Sequence, residues 1–197
     1  MLISVANLIG CPILSLHVGG TIARVTEAIV DPNELKIIAF RVERTIRDDQ
    51  DGDILPTDSI REFSQIGMIV DSSDEFVNGE EIIRIKTILD LHFSLVGLKA
   101  ESKTGSKLGK VSDYNVEPTA WSIQQLVVQR PFIKALLDPE LLISRNEIDS
   151  VTDYKVIIKD DKGRIKSAAL PAAASTAFVN PFREQRKLAT EQHAKDQ

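Results

Sequence analysis

The residues best placed to do chemistry fall in two clusters. Asp48, Asp49, Asp51, Gly52, Asp53 and Asp58 form an acidic loop that invites a calcium reading. With Gly52 at the sixth loop position, Arg47 stands first and Asp58 twelfth. An EF-hand needs an acid first and a bidentate Glu last, between two helices. Arg47 spoils that pattern, so a solvated charged loop is expected. Lys99, Lys103, Lys107 and Lys110 are spaced as on a helix face. Gly105, Gly109 and the alternating flanks instead make a hairpin, in which these lysines guard an edge strand against aggregation. A phosphate-binding role is the alternative. His17, His92 and His193 are scattered and suggest neither a carboxylate pair nor a Ser-His-Asp order. Cys11 stands alone, which excludes an intrachain disulfide and a thiolate cluster, and it reads as a buried residue at a strand start. No Gly-rich phosphate loop is present. These residues suggest no catalytic set, no cofactor and no metal site.

The elements that must position them occur twice. Laying Gly10 on Gly97 brings Val25 onto Val111, Val30 onto Val116 and Asp31-Pro32 onto Glu117-Pro118. Ile37 then meets Ile123, Phe40 meets Leu126 and Val42 meets Val128. After a two-residue insertion in the second copy, Ile54-Leu55 meets Leu142-Ile143, Ile60 meets Ile148 and Ile69-Val70 meets Ile157-Ile158. The unit is about 85–90 residues long, and such self-similarity constrains a fold more than any one motif does. Before the acid-Pro turn, Val25, Ala28 and Val30 step by three and then two, as do Val111, Tyr114 and Val116. A period of two with one extra residue is a β-bulge written in sequence. Bulges bend strands, as a small barrel requires.

Composition allows a globular chain. Of 197 residues, 43% are hydrophobic and 27% charged. Each repeat alone would bury only about 60–65% of its unfolded surface, so contact between the two should help both. Net charge is −5, with 8 basic and 15 acidic groups in residues 1–89 and 16 basic and 14 acidic groups thereafter. That is not the overall basic footprint of a nucleic-acid binder. No run approaches the ~18 apolar residues of a membrane helix. The apolar start, MLISVANLI, lacks a basic lead and reads as a first strand, not a leader. A cytoplasmic protein is expected.

Four segments follow. Residues 1–78 hold the first unit, 79–93 a connector, 94–161 the second unit and 162–197 a flexible tail. In the first unit, 13–18, 21–30 and 35–44 are strands, 54–56 is a short edge strand ending in Pro56, and Thr57-Asp58 caps a helical turn through Phe63. The connector fits a helix at Ile82, Ile85, Ile88 and Leu89, or a strand at Ile83, Ile85, Leu89 and Leu91. Either form is too apolar for a free linker and should pack between the units. The second unit carries an apolar insert, PFIKALLDPELL, read as a short helix that plugs a barrel end or docks a partner. Trp121 aligns with Leu35 and reads as core.

The segments LIGCPILSL with GGTIARVTEAIVDP, and LVGLKAESKTGSKLGKVSDYNVEP with WSIQQLVV, resemble a tandem PRC-barrel protein, similar to those of small-genome bacteria. The likeness covers both repeats and leaves out the tail. It is stronger in the second, through Gly97, Gly109, Val111 and Asp113; the first has Ala23 and Glu27 where Gly109 and Asp113 stand. The resemblance implies a mainly β fold of two consecutive small antiparallel barrels, each six-stranded and used as a binding module. Such barrels occur in the cytoplasmic part of the photosynthetic reaction centre H subunit and in a ribosome-maturation factor. That factor also has an N-terminal domain of another type, which this chain lacks. The expected function is a non-catalytic adaptor or scaffold that binds another protein through barrel surfaces and the tail, with Phe132, Ile133, Leu136, Phe178, Phe182 and Arg183 as contact residues. The alternative is an RNA-associated or ribosome-assembly role using the second unit's lysines.

Overall fold

The computed structural model describes residues 1–45, 52–80, 82–131 and 139–159. Most of the acidic loop, most of the apolar insert and the whole expected tail lie outside the described residues.

The fold is mainly β. In the first repeat β2 (Pro12–Ser15), β3 (Gly20–Asp31), β4 (Lys36–Arg44) and β5 (Ile54–Pro56) pair in sequence, all antiparallel. The hairpin of β6 (Glu62–Ser64) and β7 (Gly67–Val70) follows, and β7 returns alongside β2. The second repeat copies this with β8 (Lys99–Ser102), β9 (Lys107–Glu117), β10 (Ser122–Gln129), β11 (Glu140–Ser144), β12 (Ile148–Val151) and β13 (Lys155–Ile158). Even the register repeats: Ile13 faces Met68, and their aligned counterparts Ala100 and Val156 face each other. The duplication read from sequence is therefore present in the strand pairing.

Several expectations need correction. The units are not wholly antiparallel, because β2–β7 and β8–β13 are parallel pairs. The crossover from β5 through a 3-10 turn and the β6–β7 hairpin leaves the last strand running with the first. The expected helical turn through Phe63 shrinks to a 3-10 turn at Thr57–Ser59, and Glu62–Ser64 is strand. The Thr57 hydroxyl does not cap it, donating instead to the carbonyls of Ile38 (3.1 Å) and Ile37 (3.5 Å). All the strands belong to one sheet, whose main path is open, with β12 at one end and β6 at the other.

The bulges sit where the spacing puts them. The β3–β4 ladder slips between Val25 and Glu27, and the β9–β10 ladder slips between Val111 and Asp113. The extra residues, Thr26 and Ser112, donate their hydroxyls to the aligned carbonyls of Arg41 (3.1 Å) and Val127 (3.2 Å). The acid-Pro turns match as well. Asp31 accepts from the amides of Asn33 and Glu34 at 2.9 and 3.3 Å, and Glu117 from those of Thr119 and Ala120, both at 2.9 Å. Each turn ends on a buried non-glycine residue in left-handed backbone: Leu35 at φ 48° and Trp121 at φ 55°.

Those two residues form the seam. The Ile37 amide donates to the Trp121 carbonyl and the Ile123 amide to the Leu35 carbonyl, both at 2.9 Å, with Lys36 opposite Ser122. The exchange is reciprocal, so a pseudo-two-fold axis relates the repeats much as a true one relates a homodimer. Trp121 of the second repeat packs edge-on against Phe40 of the first, with ring centroids 5.0 Å apart, and against Phe63 at 5.8 Å. A single hydrophobic core runs through both repeats.

The segments ahead of each repeat are exchanged. β1 (Ile3–Ser4) pairs with β9 of the second repeat, and the Ser4 hydroxyl donates to Asp113. The short helix α1 (Val5–Leu8) follows it onto β9. The connector is a helix, α2 (Ile83–Asp90), that packs on the first repeat rather than in the space between. Ile85 and Ile88 cover the outward residues Ile29, Ile38, Ala39 and Ile54. Arg84 reaches the acid-Pro turn, 3.1 Å from Asp31 and 2.9 Å from Glu34. Burial opposes ionisation of Asp31, but Arg84 and the two turn amides outweigh it and hold the carboxyl below the ordinary carboxylate range. No helix among the described residues is long and apolar enough to cross a membrane.

Candidate functional site

The lysines of the second repeat form a row across the sheet. Lys99 lies opposite Lys110 in the β8–β9 pair and opposite Lys155 in the β13–β8 pair, while Lys110 faces Gln129 of β10. Directly opposed residues share a face, and like charges placed so are destabilising. Among the described residues Lys155 donates to Glu101 at 2.9 Å, which offsets part of that cost. Lys155 first, then Lys99 and Lys107, hold the Glu101 carboxyl below its usual range. Lys103 turns away to Asp149 at 2.7 Å.

Lys99, Lys107, Lys110 and Arg130 border one cleft of about 660 Å³. Gly109 lies in its wall, and a Cβ there would stand 2.0 Å from the Gln129 carbonyl oxygen. Only a glycine lets β9 approach β10 so closely, which keeps Lys110 and Arg130 on the same cleft. The first repeat has no such row, since the residues aligned with Lys99 and Lys155 are Pro12 and Gly67. Among the described residues, Lys99, Lys107, Lys110 and Arg130 outnumber the one carboxylate bordering the cleft, Glu101, and such an array attracts anions.

Sequence reasoning found these lysines and read them first as edge guards, with phosphate or RNA binding as the alternative. It missed Arg130, and it missed the register that sets Lys99 against Lys110. The signal was available: the hairpin turn at Gly105 makes the two strands antiparallel and brings those positions close.

Other residues singled out from sequence fall elsewhere. Cys11 is half-buried immediately before β2, and burial pushes its thiol above the ordinary value. His17 is exposed beyond β2, and His92, two residues past α2, is in left-handed backbone with Nδ1 2.9 Å from the Asp90 carbonyl. Trp121 is buried, as its alignment with Leu35 implies. Of the acidic loop, Asp53 pairs with Arg41 at 2.8 Å and Asp58 is exposed. Among the described residues no group of three His, Cys, Asp or Glu side chains could hold a metal. Phe132, Ile133, Leu136, Phe178, Phe182, Arg183 and His193 lie outside the described residues. No family model matches the chain, and no curated protein matches it.

Proposed function

We propose that the chain is a non-catalytic adaptor or scaffold, built from a duplicated PRC-type barrel unit, that holds an acidic segment of a protein partner in the cleft of the second repeat. The observation that carries this reading is the opposition of Lys99 to Lys110 beside Lys107 and Arg130. A chain of net charge −5 has concentrated cations at one place where they repel each other. A bound carboxylate-rich segment relieves that repulsion and gains charge-assisted hydrogen bonds. The expected contact residues Phe132, Ile133 and Leu136 follow Arg130 closely in sequence. The tail residues Phe178, Phe182 and Arg183 supply a second, weaker hold in this reading.

The test uses the full chain and an octaglutamate peptide in calorimetry. Exchanging Lys110 and Arg130 together for Glu is expected to weaken binding by about tenfold or more. Unchanged affinity would remove the cleft from the account. The same cations favour a second reading, association with structured RNA. That reading predicts a gel shift whose affinity falls steeply with salt, and no binding of the peptide.

A further inference from the structure

The pseudo-two-fold seam is broken at one point. In the second repeat, Arg145 stands in the 3-10 turn after β11 and reaches across the seam. Its Nη1 donates to the carbonyls of Leu35 (2.7 Å) and Ile123 (3.0 Å), and its Nη2 to that of Glu34. A planar guanidinium suits this task, because it directs several donors to a fixed set of acceptors. The aligned residue in the first repeat is Thr57, whose short side chain reaches only Ile37 and Ile38. The carbonyls that correspond to Arg145's three acceptors are those of Trp121, Ile37 and Ala120. Where the guanidinium would lie, the first repeat has a cleft of about 440 Å³ bordered by Thr57, Asp58, Phe63, Ala120 and Trp121.

We propose that this cleft binds a guanidinium group, which takes the place that Arg145 fills on the other side of the seam. Ala120 and Trp121, which carry two of those carbonyls, border the cleft, and the third, that of Ile37, already accepts from the Thr57 hydroxyl at 3.5 Å, so the cleft is partly organised before a ligand arrives. Phe63 and Trp121 supply aromatic surface beside the cation. Asp58 and Glu62 offset the charge of Lys36, which also borders the cleft. Arg61 does not compete for the carbonyls, since its guanidinium is bound to Asp71 at 2.9 and 3.1 Å. This site is separate from the lysine cleft and does not depend on it.

The test is a titration followed by the amide signals of Thr57, Ala120 and Trp121 and by the Trp121 indole. Agmatine is expected to move them saturably, and n-butylamine, an ammonium on a similar stem, to bind about tenfold more weakly. An acetylated Gly-Arg-Gly amide separates the two sources: tighter binding than agmatine marks an arginine within a polypeptide, equal or weaker binding a small guanidine. Thr57→Arg should fill the cleft from within, abolish the agmatine response and raise the thermal midpoint. No saturable shift with agmatine on the unaltered chain, or an equal response to n-butylamine, would overturn the proposal.

Discussion

Replacing Trp121 by alanine is expected to cost about 3–5 kcal/mol of stability, the usual loss for a buried Trp truncated in a core. Trp121 is 5% exposed and packs against Phe40 and Phe63. Because the ring belongs to the second repeat and its neighbours to the first, the damage should reach both. Urea unfolding followed by far-UV circular dichroism should keep a single transition at a lower midpoint. Trp121→Leu should cost less than alanine, because Leu35 shows that leucine accepts this left-handed backbone in the twin position. A Trp121→Ala loss below 1 kcal/mol would mean that the ring does not knit the repeats together.

Gly109→Ala is expected to be the second most damaging change. Its φ of 154° costs a side-chain-bearing residue about 1–3 kcal/mol in strain alone. The clash adds to this, because the nearest atom to a new Cβ is a backbone oxygen at 2.0 Å and cannot swing aside. The first repeat tolerates Ala23 at the aligned position, where the residue is fully buried in β3. The requirement is therefore local to the lysine cleft and is not a property of the repeated unit. Gly20→Ala serves as the control. Gly20 has no atom within 4 Å of the position a Cβ would take, so the change should stay within about 0.5 kcal/mol. Equal stability of the two variants in urea unfolding would contradict this reading of Gly109.

The parts legible in sequence were those set by local pattern. The bulges at Thr26 and Ser112 follow from an apolar spacing of three then two, and the matched turns from Asp31-Pro32 and Glu117-Pro118. The burial of Trp121 followed from its alignment with Leu35. What was not legible depends on contacts distant in the chain. Nothing near Lys36 or Ser122 announces that these two residues face each other across the seam. The left-handed backbone of Leu35 and Trp121 is hidden as well, since neither is Gly, Asn or Asp. Thr57 misled because a Thr before an Asp resembles a helix cap, whereas tertiary carbonyls claim its hydroxyl. The connector gave equal evidence for helix and strand until the outward face of β3 and β4 was there to cover. Lysine spacing drew attention to the right strands, but only cross-strand register turned it into a site.

Native-state hydrogen exchange at Ile37 and Ile123 tests the central claim most directly, namely that two copies of one unit are clasped across a pseudo-two-fold seam. Their amides donate across that seam, to Trp121 and Leu35. The account predicts that both exchange only through global unfolding, with the same opening free energy as the core strand amides of Val42 and Val128. Fast exchange at Ile37 and Ile123 while Val42 and Val128 stay protected would show that the repeats open independently, and would contradict it.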